Sequence, residues 1–271
     1  MKLSKFLTIL LTFSLAGAGY AAAQLLQKGQ IEAFRVEGDV NMINSISGES
    51  SQLTPGTVFG PGLSIQTGPS STVLLFFSNG SAINLQPDSH LDINQFVQAE
   101  FEYEGPYTSL QEEPSQSITE MYLHYGELIG EVRKLRADSS YTINTSAGKA
   151  EILGTTFVVR YRPGQDGGRT EIFNLNGTVI ATVDNNVFNL EPGKILIANG
   201  KLEGDRLEID DYITKDATRE EIAQVNKPIE DIDAARGGSG VPAGRSGVNN
   251  QGPGTLQTPP TEARVVTVSP I

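Results

Sequence analysis

The stretch Thr72-Val-Leu-Leu-Phe-Phe-Ser-Asn-Gly-Ser-Ala-Ile-Asn-Leu85 decides the fold. Val73, Leu75 and Phe77 fall on one face of an extended segment, and Ile83 and Leu85 answer them on the return. That alternation is the pattern of strands with one covered face. Between the two runs stands Asn79-Gly80, and a type I′ hairpin turn needs positive φ at both central positions, which Asn and Gly tolerate best. Asn176-Gly177 and Asn199-Gly200 also separate β-branched and aromatic runs, so the same reading predicts two further hairpins. Working outward, strands are expected over 34–40, 62–67, 127–134, 141–145, 151–153, 156–160, 169–175, 178–183, 186–190 and 194–198. Short strands about ten residues apart, without intervening helices, predict an all-β sandwich, roll or solenoid. The phrases Leu85-Gln-Pro-Asp and Leu190-Glu-Pro-Gly form a faint internal echo, a strand ending in Leu followed by a Pro turn.

Two regions break the pattern. Residues 98–120 hold Glu100, Glu102, Glu104, Glu112, Glu113 and Glu120 with two prolines and no basic residue, and are expected as an exposed acidic loop. Over 214–235, Ile222, Val225, Ile229 and Ile232 are spaced three, four and three apart, which predicts one short helix docked on the β body. Pro228 inside that stripe is expected to kink it or restart it.

The ends read differently from the middle. Lys2 and Lys5, the apolar run 6–15 and Ala21-Ala22-Ala23 make a signal-peptide pattern, so residues 1–23 are expected to be cleaved and the mature chain to be periplasmic or secreted. No later run approaches the ~20 apolar residues of a membrane span. Residues 236–271 are rich in Gly and Pro and are expected as a disordered, weakly basic tail, with Val265 to Val268 suited to joining a sheet edge. The expected organisation is therefore signal peptide 1–23, β domain 24–213, helix 214–235 and tail 236–271.

Composition excludes several chemistries. The 271 residues carry a net charge of −12, the wrong sign for a phosphate backbone, so no nucleic acid partner is expected. With no Cys there are no thiolate sites or disulfides, and His90 and His124 are the whole imidazole complement. Each His is read as a surface or packing residue. The Gly-Lys pairs ending at Lys149, Lys194 and Lys201 are not followed by Ser or Thr, so no phosphate loop is present. Asp205, Glu208, Asp210 and Asp211 read as a solvated acidic edge, with a hard cation as the sharper alternative. No metal, cofactor or catalytic residue is assigned.

Several phrases in order resemble the periplasmic domain of FecR-family proteins. They are Leu53-Thr-Pro-Gly-Thr-Val, Leu63-Ser-Ile-Gln-Thr-Gly, the run from Leu75 to Leu91, Tyr125-Gly-Glu-Leu-Ile-Gly-Glu-Val, the run from Tyr141 to Val159, and Leu190-Glu-Pro-Gly-Lys. The resemblance spans about residues 34–200 and implies a β-solenoid or roll that works by protein contacts rather than catalysis. Relatives that regulate σ factors carry a helical cytoplasmic part and a membrane span, where this sequence shows a signal-peptide pattern. The resemblance thus implies an envelope protein-binding or scaffold module, without carrying over iron regulation. Gly154-Thr155 matches the family's Gly-Thr-x-Phe phrase, at which some relatives are thought to cleave themselves by an N-to-O acyl shift. The alternative reading is a bend between strands at Gly154. The rival function is an envelope glycan-binding or glycan-hydrolysing protein, which as an enzyme needs two carboxyls facing across a groove.

Overall fold

The computed structural model describes residues 25–203 and 206–237, and the side chains of 202–206 are outside that description. The expected signal peptide, the tail beyond Gly237 with its Val265–Val268 stretch, and Asp205 therefore lie outside the described residues. In chain order the strands are β1 Leu26–Lys28, β2 Ile31–Glu37, β3 Val40–Asn44, β4 Ser50–Gln52, β5 Val58–Phe59 and β6 Leu63–Thr67. They continue as β7 Thr72–Phe77, β8 Ala82–Leu85, β9 Ser89–Ala99, β10 Ser117–Val132, β11 Ser140–Thr145 and β12 Gly148–Ile152. The last are β13 Thr155–Gly164, β14 Gly167–Asn174, β15 Val179–Val183, β16 Asn186–Leu190, β17 Lys194–Glu203 and β18 Arg206–Asp216, before helix α1, Arg219–Ala235. The all-β expectation holds, with one α-helix among the described residues.

The pairings build two open sheets that share one strand. The first runs β4-β3-β6-β9-β10-β11-β12-β15-β16, with β1 beside the far end of β9. The second runs β5-β2-β7-β8-β10-β13-β14-β17-β18. The N-terminal half of β10 pairs in the first sheet and its C-terminal half in the second. The change happens at Gly126, whose φ is +101° and whose missing Cβ would lie 2.5 Å from the Ser89 Cα. Only glycine fits that turn and that approach. From β11 on, successive hairpins alternate between sheets, so the chain advances as a roll.

Between the sheets lies one apolar core. From the first half come Ile65, Val73, Leu75, Phe77, Ile83 and Leu91, and from the second Leu128, Ile143, Phe157, Val159 and Val179. The predicted inward face of β7 and β8 is thus correct. The second sheet is buried on its outer face as well. There Ile129, Val158, Phe173, Ile195 and Ile197 meet Val225 and Ile229 of α1, while Leu74, Phe76 and Ala82 meet Ile232. This explains why β7 reads as a continuous hydrophobic run rather than a strict alternation.

Helix α1 begins later than its sequence pattern suggests. Thr214–Asp216 belong to β18, and Thr218 caps the helix in a capping box with Glu221. Pro228 neither breaks nor restarts it: α1 is continuous, and the Pro228 carbonyl accepts a hydrogen bond from Asn84 Nδ2 at 3.3 Å. Arg236, assigned by composition to the tail, is buried instead. Its guanidinium donates to the Gly80 carbonyl at 2.7 Å and lies 5.1 Å from the Phe76 ring centroid. Burial, only partly offset by Glu131, lowers its pKa to about 10.

The Asn-Gly pairs divide three ways. Asn79-Gly80 does join the β7–β8 hairpin, but Gly80 alone is left-handed, so the turn is not type I′. Asn176-Gly177 is no hairpin; it carries the chain from β14 in the second sheet to β15 in the first. Asn199-Gly200 lies inside β17 at a bulge opposite β18, where a Cβ on Gly200 would meet the Glu208 carbonyl at 2.4 Å. Close backbone approach, not turning, is what that glycine supplies. The consecutive left-handed pair of a type I′ turn is instead Asp184 (φ +46°) and Asn185 (φ +62°), joining β15 to β16.

Both halves of the Leu-x-Pro echo serve one purpose, since Leu85 and Leu190 each end a strand just before the chain crosses sheets. The acidic excursion is shorter than expected, because β9 and β10 take up its two ends. Nor is it wholly exposed: Glu113 is buried and accepts from Ser117 Oγ and the Arg136 amide, both at 2.6 Å.

Candidate functional site

With α1 on the outer face of the second sheet, the outer face of the first is left to polar and aromatic side chains. On its central strands, Ile65, Leu91, Ile93, Met121 and Leu123 point into the core. Their neighbours Ser64, His90, Asp92 and Tyr122 therefore point out. Register sets Ser64 and Tyr122 on either side of Asp92. His124, two residues beyond Tyr122 and across the inward Leu123, points out on the same alternation. Leu123 pairs with Leu91 and Tyr125 with His90, which leaves His124 as an extra residue in β10.

The result brings the chain's two histidines onto one carboxylate. The rings of His90 and His124 stack with centroids 4.4 Å apart and planes 22° apart. His124 Nε2 lies 2.7 Å from Asp92 Oδ2, and His90 Nε2 lies 3.4 Å from Asp92 Oδ1. Ser64 Oγ donates to Oδ1 at 2.5 Å and fixes the carboxylate from the β6 side. Tyr122 and Tyr125 flank the rings at 4.7 Å and 5.7 Å. Burial and the neighbouring His124 lower the pKa of His90 against the pull of Asp92. Burial alone would raise Asp92, but the bonds from His124 and Ser64 outweigh it and hold this carboxyl below its ordinary value. Among the described residues, these three side chains are the group of His and carboxylate donors close enough to share an ion, all within 4.8 Å. Read singly, the histidines give no sign of this, and Asp92 is missed altogether. The missing signal is the pairing of β9 with β10, which local pattern does not show.

A cleft of about 780 Å³ opens beside Tyr122, lined in part by Asn94, Glu120, Asn144, Asp184 and Glu208. Its three acids are exposed. The proton-donating carboxyl of a glycan hydrolase owes its raised pKa to apolar burial, which an exposed acid lacks. Of the sequence-predicted acidic edge, Glu208, Asp210 and Asp211 fall on β18. Asp210 pairs with Lys201 at 3.1 Å and Asp211 accepts from Asn199 at 2.9 Å.

Gly154 and Thr155 lie where the chain crosses from β12 to β13, and Gly154 has φ +105°. Thr155 is buried, and its hydroxyl lies 2.9 Å from Asn174 Oδ1 and 3.0 Å from the Thr156 carbonyl. Asn174 in turn donates to the Leu190 carbonyl at 2.6 Å, tying the crossover to the end of β16.

Residues 64–180 match the family model described as FecR protein. Over this stretch the chain is similar to FecR proteins. The stretch holds Ser64, His90, Asp92, His124 and the Gly154-Thr155 pair, whereas β17, β18 and α1 follow it. Two solved structures are similar to the chain, both from Parabacteroides distasonis and each described as a "putative anti-sigma factor". One is 15% identical with a TM-score of 0.42, over 60% of this chain and 63% of that one. The other is 13% identical with a TM-score of 0.41, over 64% of this chain and 74% of that one. The chain thus spans less than two thirds of the first relative's length. No curated protein matches it. Among the described residues, no helix is long and apolar enough to cross a membrane.

Proposed function

We propose that this FecR-like chain is an exported, non-enzymatic signalling or scaffold module of the bacterial cell envelope that binds a protein along the free edge of β18. The carrying observation is that edge. β18 runs eleven residues, Arg206–Asp216, and among the described residues pairs on one side only, with β17. Tyr212 and Ile213 are 42% and 55% exposed there, beside the exposed Glu208, Asp210 and Asp211. A long unpaired edge is a template for another strand. Its acids repel a second copy of the same edge and favour a basic segment, as does the body's balance of 15 basic against 31 acidic residues over 24–233. The signal-peptide pattern of residues 1–23 supports export. In this reading Gly154 and Thr155 form a structural bend, and the exposed acids of the cleft perform no hydrolysis.

The test is affinity capture from envelope extract with the native chain and with Ile213→Lys, which places a cation on the edge. The expected result is a specific protein whose capture falls at least about tenfold in the variant and weakens with salt. Unchanged capture by the variant removes the edge from the account. The amide- and hydroxyl-lined cleft beside Tyr122 favours a glycan as second occupant, and binding of peptidoglycan fragments that Tyr122→Ala abolishes establishes that alternative.

A further inference from the structure

The FecR-like stretch has a feature that its proposed protein contacts do not use. Two imidazoles and one carboxylate, drawn from two strands, converge on a point at the surface of the first sheet. One carboxylate needs one imidazole to pair with; here the neighbouring strand β10 delivers a second, stacked on the first. From these positions we propose that His90, Asp92 and His124 bind a divalent first-row transition ion, with Zn²⁺ as its type. Two neutral nitrogens and one oxygen are the donor set of such ions, whereas Ca²⁺ and Mg²⁺ take oxygen ligands.

The distances suit the ion. Bonds of about 2.0–2.2 Å at tetrahedral angles put donor atoms about 3.3 Å apart. His90 Nε2 and Asp92 Oδ1 already stand 3.4 Å apart. His124 Nε2 and Asp92 Oδ2, at 2.7 Å, need only open by about 0.6 Å, and the ion then takes the place of the proton between them. Ser64 supplies the outer hydrogen bond that orients a ligating carboxylate. Side-chain exposures of 21%, 24% and 39% for His90, Asp92 and His124 leave the ion a way in and a coordination position open to solvent.

The sequence makes the test clean. The chain holds no Cys and only two His, so an untagged protein offers imidazole ligands nowhere else. Zn²⁺ is titrated into it by calorimetry, and the imidazole nitrogens are followed by NMR. One ion per chain is expected, with both Nε2 resonances shifted. His90→Gln, His124→Gln and Asp92→Asn each weaken binding at least about tenfold while the strand signature in circular dichroism is kept, and Ser64→Ala weakens it less. Where a ligand variant does not fold, the native chain still decides by its resonances. Zn²⁺ that binds without shifting the imidazole nitrogens, that stays bound to the His90→Gln/His124→Gln double variant, or that does not bind at all overturns the proposal.

Discussion

Gly154 carries the tightest constraint at the crossover from β12 to β13. Its φ is +105°, and a Cβ there would stand 2.9 Å from the Lys134 Cα. Gly154→Ala should therefore cost about 1–3 kcal/mol in urea unfolding, since strain and collision act together. The buried Thr155 beside it belongs to the same bend, so intact-mass analysis after prolonged incubation should return one unbroken chain. A second residue-scale expectation concerns acid. On the second sheet Arg160 is bonded to Glu127 and, at 3.0 Å, to Glu171, which also accepts from Arg169 at 2.8 Å. Burial would raise the Glu171 carboxyl, but Arg169 and Arg160 together outweigh it and bring it below its ordinary value. A carboxyl lowered on folding contributes stability above its unfolded pKa and loses it as pH falls through the folded one. Denaturation midpoints measured across the acid range should fall less steeply for Glu171→Gln than for the native chain. The Asn-Gly pairs show how far such single residues can be read. Glycine's permissiveness is visible in sequence, but whether it serves a hairpin, a crossover or a bulge depends on which backbone lies opposite.

Among the elements, α1 was the most legible. Its Ile222, Val225, Ile229 and Ile232 stripe follows the helical period, and three of the four are buried on the second sheet. Ile229→Ala should cost about 3 kcal/mol in the same unfolding assay, because it opens a cavity between α1 and Ile195 or Ile197. A loss below about 0.5 kcal/mol would show that the helix is not seated there. The helix starts later than the pattern predicts because Thr214 to Asp216 are polar and suit either state, and pairing with β17 decides for strand. β9 and the first half of β10 keep their alternation, with Leu91, Ile93, Met121 and Leu123 inward and His90, Asp92, Tyr122 and His124 outward, but polar residues among the inward positions, Ser89, Ser117 and Thr119, weaken its apolar signature.

At the scale of the whole molecule, the two sheets have unequal fates. The second is covered by α1 on its outer face and ends, among the described residues, at the unpaired edge of β18, while the first presents polar and aromatic groups. Short strands, apolar alternation and acidic charge were enough to predict an all-β body with a docked helix. They were not enough to predict a strand shared by both sheets, because long-range register leaves little trace in local pattern. The central claim is that the acidic edge of β18 receives an extended segment of a protein partner. Hydrogen–deuterium exchange of the chain, free and bound to the captured partner, tests it most directly. The account predicts new protection over 206–216, lost with Ile213→Lys. Protection confined to the outer face of the first sheet, with β18 exchanging as in the free chain, would contradict it.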